Sequence, residues 1–368
     1  MKRSMAFVII FLILNLNIVS NERLIPFRLN GKIGFIDENH KYLLAPEYEG
    51  TVSDYSKNMV LIDCKGYAVL IGENGHLLTR GVDSIFIIGN DEYAVSQKGG
   101  NGVSRIFSSD NKVKHTYDGI TILKTEKSAN VLIIDDFDEV YGARRNILNQ
   151  DGIALFKNNS FKRIFAFDSV SKVALIQDID FNDCLVTTDG KIINQLIFQF
   201  GMRSLGDGLV FGKNTRTGES GFYNMDCKLV IKAAQKSGSD MDDWNCYPSV
   251  TCGVVPLVND GKQNILLSEW QTQHSDNWCV VDKSGMVLAN GITADYIYPF
   301  SDNVAVIKLR SSEKWIYRLI DKKGKIITTT DYDEINSSVN GYCMAKKDGI
   351  DYLIRSKDGK VFKCADFK

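Results

Sequence analysis

Short runs rich in Val, Ile and aromatic residues recur along the chain, each closed off by Gly, Asn, Asp or Ser. "NMVLID" (residues 58–63), "NVAVIK" (303–308) and "GYCMAK" (341–346) are examples. Runs of this length and punctuation predict β-strands. No segment carries a sustained helical stripe. The runs are also ordered. Aligned on the turn in "FIDENHK", the turn position reads His40, Gly75, Asn111, Gly152, Gly190, Cys227, Gly285, Gly324 and Gly359. The spacings are 35, 36, 41, 38, 37, 58, 39 and 35. Gly and Asn tolerate the positive φ that tight hairpins need, and a fixed period marks a repeat architecture.

Columns around the turn support the alignment. Five residues before it stand Phe35, Leu70, Ile106, Ile147, Leu185, Phe222, Val280, Leu319 and Ile354. The next column is apolar until Arg355, and the column two past the turn is apolar throughout, from Tyr42 to Val361. Each unit is therefore a hairpin with a third strand before it and, in some units, a weak fourth after it, as in "DSIFIIG" (83–89). Neighbouring strand residues point to opposite faces. Adjacent apolar columns imply sheets covered on both faces. The expectation is an all-β array of about nine 37-residue β-meander repeats with propeller-like stacking, as a closed ring or an open solenoid. A β-sandwich is the alternative; it predicts cleaner alternation and no such period. Nine units exceed the usual four to eight blades, so terminal units that merge, or an array that stays open or splits, are all open at this point.

The first unit resembles the WG-type repeat, a bacterial β-repeat family built on a Trp-Gly-Phe-Ile-Asp core. Gly34-Phe35-Ile36-Asp37 matches its last four positions, and "PEYEG" (46–50) is similar to its Pro-x-Tyr-Asp segment. Trp278 takes the Trp position in the seventh unit, and Val281-Asp282-Lys283-Ser284-Gly285 resembles the hairpin that follows. "YPFSDNVAVIK" (298–308) and Leu319-Ile320-Asp321-Lys322-Lys323-Gly324-Lys325 continue the likeness in the eighth. No Trp-Gly dipeptide occurs, and the likeness is faint between Lys65 and Lys213. The resemblance implies a β-repeat array used for binding or scaffolding. It brings no catalytic residue to transfer.

The N-terminus differs from the rest. Lys2 and Arg3 precede an apolar run from Ala6 to Leu14, and Ile18-Val19-Ser20 ends with a small residue. This layout reads as a secretory signal peptide over residues 1–20, with the repeat array over 21–368 and a periplasmic or extracellular location. An uncleaved anchor is the alternative, and only then would the protein meet a membrane. With 44 basic and 45 acidic residues the net charge is −1. Such a balance gives no reason to expect a nucleic-acid partner.

The chain has no P-loop, G-x-S-x-G or H-E-x-x-H motif and no C-x-x-C pair,. It is read as a non-enzyme, with no catalytic residues, cofactor or metal site expected. His40 and His76, at or beside turns, read as exposed turn residues. Three acidic clusters (Asp135, Asp136, Asp138 and Glu139; Asp178, Asp180 and Asp183; Asp240, Asp242 and Asp243) read as solvated loop acids. Calcium binding is the minority reading, since none has EF-hand spacing. Most of the eight cysteines read as small buried residues, although Cys246 and Cys252 are spaced to close a loop,.

The 58-residue interval implies an insertion within residues 228–277. Loops on a rigid scaffold often carry function. Trp244 and Trp270 lie in the insertion, Trp278 follows, and Tyr247 adjoins Cys246. Trp244, Tyr247 and Trp270 are the candidate binding residues, because exposed aromatic rings give large contact area at low entropic cost; packing into a small core of the insertion's own is the alternative. The functional expectation is an exported binding or scaffold module for a protein or glycan partner. The alternative is an exported propeller-type hydrolase acting on glycans, which would need paired carboxylates brought together from distant units.

Overall fold

The computed structural model describes residues 23–367 except 90, 98–102, 119, 127–130, 139–141, 150–152, 157–160, 169, 179–182, 190, 195–204, 215, 236–249, 268–274 and 313. The signal-like segment therefore lies outside the described residues. The described strands form nine separate sheets in chain order, spanning residues 25–48, 50–81, 84–118, 120–149, 163–194, 205–232, 234–294, 296–321 and 334–363. They stack as a β-propeller. In a full sheet such as the second, the order is inner strand Gly50–Tyr55, then Val60–Cys64, Tyr67–Ile71 and outer strand Leu77–Gly81.

The turn alignment is correct. His40, Gly75, Asn111, Cys227, Gly285, Gly324 and Gly359 all adopt positive φ, and in the four-stranded sheets this turn joins the third strand to the outer one; Gly152 and Gly190 lie outside the described residues. Three positions earlier, a short polar side chain fixes the turn. Asp37 Oδ1 accepts from the Asn39 and Lys41 amides at 2.8 Å. Asn224, Asp282 and Asp321 repeat this pattern. The Asp of the repeat signature is thus a turn cap.

The adjacent apolar columns do cover both faces. Phe35 packs toward the second sheet and Ile36 toward the ninth. Leu319 and Ile320 divide in the same way between the ninth and seventh sheets. The apparent exception at Arg355 has a geometric cause. Its turn is one residue longer, with Gly359 N donating to Arg355 O, whereas Gly324 N donates to Asp321 O. Leu353 and Ile354 are therefore the buried pair of the last unit, facing the first and eighth sheets.

The array is a closed ring. Nine core clusters fill the nine interfaces between neighbouring sheets. The ninth joins the last sheet to the first through Ile25, Phe27 and Ile36 against Met344, Leu353 and Phe367. Among the described residues no strand is shared across this junction. The first sheet has three strands, and its turn at His40 shows that the missing one is the inner strand. Its open edge is blunted. Asn30-Gly31 makes a two-residue turn with φ of 53° and 78°, so Leu29 and Lys32 form a hydrogen-bonded pair,. Alternation then aims Pro26 and Arg28 away from the sheet. Pro26 has no N–H, the Arg28 backbone bonds the Cys364 thiol, and Leu24 O accepts from Asn340 Nδ2 at 2.8 Å. An edge so satisfied does not recruit a further strand.

His40 corrects the sequence reading. It is half-buried in the closing interface, with its ring 4.1 Å from Phe362 and 5.4 Å from Phe367. His76 is exposed as expected. Of the seven cysteines described, all are free; Cys184, Cys279, Cys343 and Cys364 are buried. Cys246 lies outside the described residues, and Cys252 is an exposed free thiol.

Candidate functional site

The long interval between Cys227 and Gly285 contains most of a five-stranded seventh sheet. Its strand order is Ala234–Gln235, Asn264–Leu266, Val254–Asn259, Ser275–Asp282 and outer strand Val287–Ala294. The hairpin joining Val254–Asn259 to Asn264–Leu266 is extra relative to the other described sheets. Trp244, Tyr247 and Trp270 lie outside the described residues. Trp278 is buried, donates from Nε1 to Ala294 O at 2.9 Å and meets Tyr296 edge-on. It is a core residue.

The outer strand of this sheet carries a bulge. Trp278 pairs with Ile292 and Val280 with Ala289, so Cys279 faces two residues, Asn290 and Gly291. Gly291 takes φ of 64°. The bulge pushes the strand outward and separates two clefts that share Asn290 and Gly291. One, of about 600 Å³, faces the eighth sheet and is lined by Leu288, Ile292, Leu309, Arg318, Lys323 and Ile326 among others. The other, of about 480 Å³, lies on the Cys279 side of the sheet, facing the sixth; Asn259, Asn264, Asn277, Cys279 and Val287 line it. Together they make one groove around the edge of the seventh sheet. Arg318 Nε is held by Asp331 Oδ1 at 2.5 Å, so Lys323 carries the less committed charge.

A third cleft, of about 350 Å³, sits between the turns of the eighth and ninth sheets. Its three carboxylates are already engaged. Asp302 Oδ2 accepts from Gly341 N and Ser338 Oγ, each at 2.8 Å. Asp321 caps its turn. Asp358 pairs with Arg355 through Nε and Nη2, and that pair holds its carboxyl down at about 2. A glycosidase acid needs the opposite shift. Among the described residues, the carboxylates shifted from their ordinary range (Asp110, Asp189, Asp260, Asp282, Asp331, Asp333 and Asp358) are all lowered.

Of the acidic clusters, Asp135, Asp136 and Asp138 fall within strand Val131–Asp138 rather than a loop, in register with Arg145, Arg144 and Gly142. Glu139, Asp180, Asp240, Asp242 and Asp243 lie outside the described residues. No metal-binding group of acids, histidines and cysteines occurs among the described residues.

Sequence reasoning missed the groove. One signal was available: the apolar column two past the turn. Leu77, Val113, Ile192, Val287, Ile326 and Val361 are substantially exposed on the outer edge of their sheets, and Val287 and Ile326 line the two clefts.

The family model of the WG containing repeat matches this chain at residues 33–66 and 317–349. No curated protein matches it. Solved structures similar to it include uncharacterized protein lmo1340 from Listeria monocytogenes EGD-e, 10% identical, covering 86% of this chain and 94% of that one with a TM-score of 0.42. BamB from Moraxella catarrhalis is 12% identical over 76% of this chain and 86% of its own, with a TM-score of 0.37. The β-propeller domain of the Trilobed protease from Pyrococcus furiosus is 10% identical over 94% and 99%, with a TM-score of 0.36.

Proposed function

We propose that this protein is an exported binding or scaffold module for a protein or glycan partner, taken up along the groove at the outer edge of the seventh sheet. The observation that carries this reading is the pair of clefts meeting at Asn290-Gly291. Their walls mix apolar side chains, amides and two cations, and the strands behind them are fixed by core clusters on both faces. Such a surface suits recognition by many weak contacts. The signature residues Phe35, Ile36 and Asp37 are occupied with packing and turn-capping. That leaves the insertion and the outer edge for a partner. Export rests on the charged start and apolar run of residues 1–20,.

Asn290→Trp tests the reading, because a large side chain at the shared rim obstructs both clefts. Immobilised protein and glycan panels would be probed with wild type and variant. A ligand held by wild type and weakened about tenfold or more in a normally melting variant is the expected result. Equal binding by both would remove the groove from the proposal, and release of shortened glycans would favour hydrolysis. For export, mass spectrometry of the secreted or periplasmic fraction should find a mature N-terminus near Asn21; an intact Met1 in the cytosol would contradict it.

A further inference from the structure

We propose that the cleft on the Cys279 side of the seventh sheet is a site for a neutral carbohydrate; this rests on the binding reading above and narrows it to a ligand class. The lining is Asn259, Gly261, Asn264, Asn277, Cys279, Val287, Asn290 and Gly291. None of these side chains is charged. Cys279 adds no charge either, since burial pushes its thiol up to about 11. A charged ligand would enter such a cleft without a counter-charge, and desolvation would oppose it. The neighbouring cleft, with Arg318 and Lys323, differs in this respect.

The amides match hydroxyl groups. Each offers two N–H donors and an acceptor oxygen, while a sugar hydroxyl both donates and accepts. Two of the four are oriented by the extra hairpin. Asn259 Oδ1 accepts from Gly261 N at 2.8 Å, and its Nδ2 donates to Asn264 Oδ1 at 3.3 Å. Asn264 Nδ2 reaches Lys232 O of the sixth sheet at 3.4 Å. One N–H remains on each amide nitrogen. The side chains of Asn277 and Asn290 are exposed and make no hydrogen bond to another described residue. Their full complement is available to a ligand. Val287, 51% exposed, gives an apolar surface for the C–H face of a sugar ring. The volume of about 480 Å³ falls within the roughly 300–1,000 Å³ usual for small-molecule sites.

An extended peptide is the competing neutral ligand. It would add to the outer strand through backbone hydrogen bonds. The bulge at Asn290-Gly291 interrupts that edge, so recognition here falls to side chains.

The test is saturation-transfer NMR and calorimetry on the full chain. The probes are cello-, chito- and malto-oligosaccharides, a sulfated and a uronic-acid oligosaccharide, and a neutral unstructured peptide. The comparison protein is the double variant Asn277→Ala/Asn290→Ala, checked by thermal melting. A neutral oligosaccharide that binds wild type and loses about tenfold or more in the variant supports the proposal. Neutral-sugar binding unchanged in the variant overturns this site but leaves the module a glycan binder. Binding of only the peptide, or only the acidic sugars, overturns the ligand class and leaves the binding reading intact. A failure of every probe, with protein panels also negative, overturns both.

Discussion

The Tyr55 hydroxyl lies 3.0 Å from Ser301 Oγ although 246 residues separate them. Tyr55 ends the inner strand of the second sheet, and Ser301 precedes the turn between the first two strands of the eighth. Both hydroxyls reach the carbonyl oxygen of Ser338, at 3.1 and 2.8 Å. Ser338 Oγ in turn meets Asp302 and Ser356. This polar clasp crosses the place where the first sheet lacks its inner strand. Burial is the main cause that raises the Tyr55 hydroxyl above its ordinary range.

Tyr55→Phe should therefore lower stability by about 1 kcal/mol, the usual net value of a hydrogen bond. Urea unfolding would measure it. A midpoint equal to wild type would show that the clasp contributes nothing to closure.

Gly34→Ala should destabilise more than Gly31→Ala. A Cβ on Gly34 would sit 2.8 Å from Leu44 O and Pro46 N, where the outer strand of the first sheet crosses close by. A Cβ on Gly31 meets nothing within 4 Å, and only its φ of 78° is strained. Overpacking against backbone costs about 1–3 kcal/mol, against about 1 kcal/mol for left-handed strain. A Cβ on Gly221, in the same column, would fall 2.1 Å from Ile231 O, and this position should be as intolerant. Thermal melts of the three variants would check the order.

Acid should loosen the ring at His40. Burial first, then Lys360, lowers its pKa, against a smaller opposing pull from Asp37. The unfolded chain takes up the proton before the folded one does. Stability is thus full above the ordinary value of about 6.5 and declines as pH falls from there toward the lower folded value. His40→Asn keeps a residue that accepts positive φ and should flatten the melting temperature between pH 7 and 5. An unchanged slope would place the pH dependence elsewhere.

Asp358 should titrate near 2 by carboxyl NMR and return toward the ordinary range in Arg355→Met, since the guanidinium is the largest cause of its shift. No movement would mean that the Lys360 backbone bond dominates instead.

The fold was legible wherever local chemistry repeats. Turn residues with positive φ, their capping side chains and the paired apolar columns all lie within a few residues of one another, so nine units and two-sided burial follow from spacing alone. Closure was not legible. It depends on Tyr55 meeting Ser301, on Pro26 and Cys364 quieting an edge, and on His40 leaving solvent for Phe362, and no local pattern announces such distant pairings. The register at Arg355 slipped because one added turn residue is invisible to a fixed offset. The long interval after Cys227 falls in the five-stranded seventh sheet. Its aromatic residues drew attention, whereas the groove is lined by Asn259, Asn264, Asn277 and Asn290, which in sequence resemble ordinary turn residues.

Closure of the ring is the claim on which the rest stands, and a distance between its two ends tests it most directly. Residues 32 and 363 are exposed and lie on strands of the first and ninth sheets. Spin labels attached there through unnatural amino acids, leaving the native cysteines untouched, would be read by pulsed dipolar spectroscopy. Stacked sheets sit about 10 Å apart. A closed ring therefore predicts one narrow distribution below about 30 Å, whereas an open stack of nine sheets would separate the labels by on the order of 80 Å and contradict the account.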